Sequence, residues 1–280
     1  MRPKPSQSVA IQGELGAFSH SAALKILGDS IQVLPCPTFR EAFDKIRSGE
    51  AVSGVIPMEN TLHGSVHENY DHLLEYDFFI SGETSIRISH QLIVRPGVKF
   101  RDIRRIFSHP VALNQCKRFF EKYSHIEPVP QYDTAGSVKL LNEQKLSDTG
   151  AIASETAAEI YGGVILKRNI EDNRQNFTRF FLLTKQPETS RVATGEWKTS
   201  IVFSTANTPG ALFRAMACFA LRDLSLTKIE SRPLRGKPWE YLFYLDLQGR
   251  KEDEKVQKAL AHLGETAEFL KVLGSYRPTL

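Results

Sequence analysis

The chain has 280 residues, 41% of them hydrophobic and 24% charged, with a net charge of +4, which is the balance of a soluble globular protein with room for one large domain and a small one. Lys and Arg are spread without a basic run, which argues against nucleic acid and leaves a small anionic partner as the better match. Three widely separated cysteines, Cys36, Cys116 and Cys218, make neither a disulfide framework nor a zinc knuckle, no apolar run approaches the length of a leader or a membrane span, and the expected setting is a reducing cytoplasm.

In chain order, Val9 to Gln12 reads as a strand, Gly13 and Gly16 bracket a turn, and Ala17 to Leu27 has helical spacing. The glycine pair is one short of a dinucleotide fingerprint, and no acidic residue is placed as that motif requires. A strand over Ile31–Cys36, a helix opened by the capping box Thr38–Glu41, and a strand over Val52–Pro57 complete an alternation typical of a parallel α/β layer. Glu59-Asn60-Thr61 follows that strand, and Ser65–Glu68 has the pattern of a second capping box. Polar residues between a strand's C-terminal end and a helix are where open α/β sheets hold ligands, although a solvated loop has the same composition. His63, His67 and His72 lack the spacing of a zinc motif, so they read as solvated or capping residues.

Phe78 to Val94 gives two or three strands, and Ile103–Phe107 another. A helix is expected from Ser108-His109-Pro110, with Val111, Leu113, Cys116, Phe119 and Phe120 on one face and Gln115 close to it. Asp133-Thr134 opens the next helix, Ala151–Ala153 is a strand and Glu155–Tyr161 a helix. Val164–Ile170 and Gln175–Thr184 are then expected to return to the first lobe. In the second of these runs, strand alternation places Asn176, Thr178 and Phe180 on one face, with Phe177 and Arg179 on the other. If two lobes face each other, the helix starts near Ser65, Ser108 and Asp133 converge on a cleft suited to a carboxylate.

Residues 187–198 are polar and read as a linker. Beyond it, a strand at Thr199–Ser204, a helix capped by Thr208-Pro209, strands at Leu224–Arg232 and Glu240–Leu247 joined across Arg235-Gly236-Lys237, a helix at Glu252–Leu263 and a strand at Phe269–Tyr276 make a ferredoxin-like βαββαβ unit.

Taken together, these residues resemble the prephenate dehydratases, with the closely similar arogenate dehydratases, from about Val9 to Tyr276. The resemblance rests on Thr178-Arg179-Phe180, Glu59-Asn60, Ser108-His109-Pro110 with Gln115-Cys116, and Asp133-Thr134-Ala135. The C-terminal part resembles a phenylalanine-binding ACT domain through Gly210-Ala211-Leu212 and Glu230-Ser231-Arg232-Pro233. Thr61 stands where Ser is common, Val111 where Gln is, Ile11 where Tyr is, and Met58 where Ile is; these bear on cleft shape more than on reaction type.

The resemblance implies an α/β, two-lobed, periplasmic-binding-protein-like catalytic domain over 8–186, with lobe 1 about 8–82 plus 165–186 and lobe 2 about 83–164. It also implies a C-terminal ferredoxin-like ACT domain over 199–280. The expected reaction is decarboxylating dehydration of prephenate, with arogenate as the alternative substrate and no metal or organic cofactor. Thr178 is the expected catalytic donor. Glu59, Asn60, Thr61, Ser108, Gln115, Thr134, Asn176, Arg179 and Phe180 are the expected substrate contacts, with Arg179 either pairing with a carboxylate or structural, and Glu59 held protonated or turned away. Asn207, Gly210, Ala211, Leu212 and Glu230–Pro233 are expected to bind L-phenylalanine where two copies pair in a homodimer or homotetramer. A solute-binding protein or a transcription-effector domain shares the two-lobed shape, but the first usually carries an export signal and the second needs a DNA-binding helix pair. No nucleic acid or membrane partner is expected.

Overall fold

The computed structural model describes residues 7–187, 196–234, 236 and 239–279. These fall into two compact units, one of residues 7–76 and 84–182, the other of residues 77–83 and 183–279. Eight residues of the expected linker, 188–195, and most of the Arg235-Gly236-Lys237 connection lie outside the described residues.

The first unit opens with β1 (Gln7–Gln12), α1 (Phe18–Leu27), β2 (Ile31–Cys36), α2 (Phe39–Ser48) and β3 (Ser53–Asn60). β1 lies between β2 and β3 and pairs in parallel with both, as short β-α-β connections require. α2 is capped at Thr38, whose Oγ1 accepts from the Glu41 amide at 3.2 Å. After β4 (Gly64–Ser65) comes α3 (His67–Glu75), then β5 (Phe79–Arg87), and β11 (Phe177–Thr184) completes the sheet after a long excursion, in the order β5-β11-β3-β1-β2 with β4 on β3. Val9, Ile11, Val55, Phe180 and Leu182 pack with Ala22 and Ala23 of α1 beneath this sheet.

The excursion builds a second sheet. β6 (Gln91–Val94), β7 (Arg105–Ser108), β8 (Glu127–Pro130), β9 (Thr149–Ala153) and β10 (Val164–Lys167) lie in the order β10-β6-β9-β7-β8. α4 (Pro110–Asn114) and α5 (Lys117–Lys122) follow β7, α6 (Thr134–Glu143) follows β8, and α7 (Glu155–Tyr161) follows β9. Two crossovers, residues 88–90 and 168–176, join the sheets. The lobe boundaries differ from expectation, because β5 stays with the first sheet to Arg87 while β10 pairs antiparallel with β6 in the second.

Gly16 shows how closely these elements approach. Its φ is +87°, and a Cβ there would lie 2.7 Å from Ala157 Cα of α7. The glycine-rich turn therefore serves packing between the two halves of the unit.

Three expected helix starts are corrected. α3 has Val66 as its N-cap with no side-chain cap, and Ser65 is taken up in β4. The helix expected after Ser108 has His109 as its cap and breaks at Gln115–Cys116 into α4 and α5, leaving Val111 exposed. In the second unit, the helix begins at Gly210, in the left-handed region, and Thr208 Oγ1 accepts from Arg214 instead.

That second unit contains β12 (Lys198–Thr205), α8 (Ala211–Ala220), β13 (Leu226–Pro233), β14 (Tyr241–Gln248), α9 (Glu254–Thr266) and β15 (Ala267–Tyr276). The sheet order is β13-β14-β12-β15, every pair antiparallel, which is the ferredoxin-like arrangement. Ile201, Phe203, Leu245 and Leu247 form its core with Phe219 of α8 and Leu263 of α9. Residues 77–83 belong to this unit, so the boundary read from sequence shifts. The short segment carries Glu83, which is buried, pairs with Lys198 and accepts from Tyr276 at 3.3 Å.

Candidate active site

Thr178 lies on β11 with its side chain turned inward, as the alternation of buried Asn176, Thr178 and Phe180 requires. Beside it, Asn60 ends β3. Asn60 Nδ2 donates to Thr178 Oγ1 at 2.9 Å, Asn176 Oδ1 at 2.7 Å and the Phe177 carbonyl at 3.2 Å. Asn60 Oδ1 accepts the Leu62 and His63 amides at 2.9 and 3.0 Å. These bonds assign the amide: its oxygen faces two N–H donors and its nitrogen faces three oxygens. The Thr178 oxygen is therefore an acceptor toward Asn60, which leaves its O–H to donate elsewhere.

Thr178 and Asn60 border a cavity of about 450 Å³. Five helices turn their N-terminal ends toward it. Ala17 and Phe18 come from α1, Phe39 from α2, Ser65 and Val66 precede α3, His109 caps α4, and Asp133 and Thr134 open α6. Unpaired backbone N–H groups and the positive ends of helix dipoles favour an anionic occupant.

The titratable groups of the wall are shifted mainly by burial. His109 is held below the ordinary imidazole value by desolvation, with the Asp133 carboxylate opposing. Its Nδ1 accepts from the Val111 amide at 3.2 Å, so the neutral ring carries its proton on Nε2. Asp133 is pushed above the usual carboxylate range by burial, and its bond from the Gly136 amide, 2.7 Å long, works the other way. Tyr132 is pushed upward by burial and by the neighbouring Glu14, to which it donates at 2.7 Å. His90 is lowered by burial, with a bond to Gln115 and the charge of Glu171 opposing. The three cysteines are free and buried; burial lifts the Cys36 thiol to about 11, and it raises Cys116 as well.

The expected catalytic donor Thr178 lines the cavity, as do Asn60, Gln115, Thr134 and Phe180 of the expected substrate contacts; the other contacts do not. Thr61 Oγ1 accepts from the Phe177 amide at 3.0 Å and donates to the Gln175 carbonyl at 3.0 Å, so it secures the start of β11. Ser108 is fully buried and donates to the Ile152 carbonyl at 2.6 Å, between adjacent strands. Asn176 lies behind Asn60 as its acceptor. Arg179 stacks on Phe181, 4.6 Å from the ring centroid, and lies 3.9 Å from Glu59. Arg179 and Glu59 thus lie beside each other, and neither lines the cavity.

His63, His90, His109, Tyr132 and Asp133 line the cavity without having been assigned to a ligand from sequence. Pro110 at the first helical turn marks His109 as a cap, a signal present in the sequence. His90 carries none, because its contact with Gln115 joins a strand start to a helix end. Among the described residues, no group of His, Cys, Asp or Glu is arranged to hold a metal ion.

In the second unit, Asn207, Gly210, Ala211 and Leu212 border a smaller cavity of about 200 Å³, together with Trp239 and Tyr241. Glu230 to Pro233 do not line it; they lie on β13, the edge strand of the sheet.

Comparison with known proteins adds three relatives and a family. The profile described as prephenate dehydratase matches residues 9–188. The chain is 44% identical to arogenate dehydratase/prephenate dehydratase 2 of Arabidopsis thaliana, a chloroplastic protein, over 96% of this chain and 72% of that one. The structure of prephenate dehydratase from Arthrobacter aurescens in complex with L-Phe superposes with a TM-score of 0.87 at 31% identity, covering 96% of this chain and 90% of that one. A structure described as GqqA, a novel type of quorum quenching acylase, superposes with a TM-score of 0.88 at 33% identity, covering 97% and 98%.

Proposed function

The chain belongs to the prephenate dehydratase family, and from that premise we propose that its cleft carries out the decarboxylating dehydration of prephenate to phenylpyruvate, with Thr178 as the donor to the departing oxygen. The reaction breaks the C–O bond of the ring hydroxyl and the C–C bond to the ring carboxylate. The electron pair of the second closes the aromatic ring as the first departs, so the products are phenylpyruvate, carbon dioxide and hydroxide, which takes up a proton to become water. Aromatisation supplies the driving force, and the barrier lies in hydroxide as leaving group.

The observation that carries this reading is the orientation of Thr178. Asn60 fills one acceptor site of the hydroxyl, and among the described residues no imidazole or carboxylate is bonded to it. With no base among them to take its proton, the group is built to donate and not to attack. A nucleophile for acyl transfer needs the opposite arrangement, with a base against the hydroxyl, so the acylase described for one structural relative is the less favoured reading here. A positioned donor at a departing oxygen is worth about 10²–10³ in rate. The helix N-termini around the cavity favour the two carboxylates of the substrate, and turning Glu59 toward Arg179 keeps that charge off the ligand.

The second unit is proposed to bind L-phenylalanine as a feedback effector, the role of an ACT domain. The helix start at Gly210 suits the carboxylate, and Trp239, Tyr241 and Leu212 offer apolar surface for the ring. Glu230–Pro233 would complete the site from a second copy, as a homodimer or homotetramer, through the open edge of β13. Inhibition then follows from unequal affinity for two states of the assembly.

The test is turnover. Purified protein assayed with prephenate and with arogenate should form phenylpyruvate from the first with the larger kcat/KM. A larger value for arogenate would move the assignment to arogenate dehydratase, and turnover of neither would overturn it.

A further inference from the structure

Gln115 is held from two sides. Its Oε1 meets His90 Nε2 at 2.7 Å and its Nε2 meets His63 Nδ1 at 3.3 Å. A primary amide has no intrinsic preference between its two ends, and a half-turn about its last torsion exchanges donor for acceptor. Whether Gln115 offers the ligand an N–H or a carbonyl is therefore decided by its neighbours.

His90 is the more constrained of these. It sits in the first crossover between the sheets, immediately before β6, and is 1% exposed. Its amide donates to Glu171 Oε2 at 2.9 Å, its carbonyl accepts from the Ile170 amide at 2.9 Å, and Glu171 is clamped by Arg87. Phe18 of α1 meets the ring edge-on, with centroids 5.9 Å apart. The ring is thus fixed in place by both crossovers and by α1. His90 Nδ1 is buried with no hydrogen-bond partner among the described residues. A proton on that nitrogen would be an orphaned donor in a buried site. The ring accordingly carries one proton, on Nε2, and that proton faces Gln115.

We propose that His90 is a positioning residue, whose Nε2–H locks the Gln115 amide so that its NH₂ end is presented to His63 and the cleft. Gln115 then meets the ligand as a donor only. His63 Nδ1 lies 3.3 Å from Gln115 Nε2 and 3.2 Å from Asn60 Oδ1, which also accepts the Leu62 and His63 backbone amides, while Asn60 Nδ2 is left for Thr178. An anionic substrate in a cleft ringed by helix N-termini requires this sense at Gln115, since a flipped amide would aim a carbonyl at it. The kinetic consequence rests on the dehydratase reading; the tautomer and the amide orientation do not.

The experiment uses the full chain and has two parts. Nitrogen-15 spectra of the labelled imidazoles at neutral pH should show His90 as a neutral ring protonated on Nε2. A doubly protonated ring, or one protonated on Nδ1, overturns the proposal. In the kinetic part, His90→Leu should lower kcat by up to about a hundredfold, the scale of loss for a misplaced active-site group. His90→Gln, whose amide donates from nearly the same place, should recover most of that loss. In a Gln115→Ala background, His90→Leu should add little, because residues acting as one unit are not additive. Independent, multiplicative losses overturn the proposal, as does a His90→Gln protein that melts like the parent yet is as slow as His90→Leu. If the unaltered protein converts neither prephenate nor arogenate, the functional reading falls, and the imidazole spectrum alone judges His90.

Discussion

Asn60 and Thr178, 118 residues apart in sequence, are joined at 2.9 Å by an amide-to-hydroxyl hydrogen bond in which the threonine oxygen is the acceptor. That direction gives the hydroxyl its chemistry. The bond occupies an acceptor site of the Thr178 oxygen and leaves its proton for the cavity.

Removal of the hydroxyl should therefore act on rate more than on binding. Thr178→Ala is expected to lower kcat by about 10²–10³ with a small change in KM, because the donor matters most as the C–O bond breaks. Thr178→Ser should retain much of the rate. Steady-state kinetics on both variants checks this, and full turnover by the alanine variant would remove Thr178 from the chemistry.

Asn60→Asp changes few atoms and inverts the network. A carboxylate would face Asn176 Oδ1 and the Phe177 carbonyl, both acceptors, and Thr178 Oγ1, whose hydroxyl can also donate. The threonine would turn its proton to the new carboxylate and cease to donate into the cleft. Loss of rate comparable to Thr178→Ala is expected. Thermal or urea unfolding should also show destabilisation of about 1–3 kcal/mol, the usual penalty for polar groups left unmatched in a buried site.

Asp133 gives a pH signature. Its folded-state pKa lies above the ordinary value of 3.8 because burial penalises the carboxylate. The folded chain therefore holds this proton more tightly than the unfolded chain, and stability falls as pH rises from near 3.8 through the folded value. Asp133→Asn removes the titration while an amide oxygen can still accept from Gly136, and Asn caps helices as well as Asp. Urea unfolding across this range should show a shallower decline with rising pH in the variant than in the parent. Identical slopes would place the carboxylate's titration elsewhere.

Control by phenylalanine is better probed at Gly210 than by deletion of the second unit. Residues 77–83 belong to that unit, and a chain ending near Gln186 would lose Lys198 and Tyr276 from buried Glu83. Gly210 has φ +77° at the start of α8, where a β-branched side chain is strained by about 1–2 kcal/mol. Gly210→Val should distort the small cavity and shift phenylalanine inhibition to at least tenfold higher concentration. Calorimetric titration should show the matching loss of affinity, and an unchanged isotherm would locate the effector elsewhere.

Periodicity alone determined a good deal of this protein. The alternation of Asn176, Thr178 and Phe180 was readable because a strand's side chains have a period of two, and the cap at Asp133 because its chemistry is local to four residues. The βαββαβ order of the second unit followed from element order for the same reason. Other relationships are long-range and have no local signature. His90 meets Gln115, Glu59 meets Arg179, and residues 77–83 join a unit otherwise formed by the last third of the chain. Local pattern also misled where tertiary pairing competes with it, as at Ser65, drawn into β4 and away from a cap. The sequence could nominate Asn60, Gln115 and Thr178 for one cleft. Only the fold, by burying some polar atoms and leaving others facing the cavity, decided which would donate and which, like Ser108 and Thr61, would spend their hydrogen bonds holding strands together.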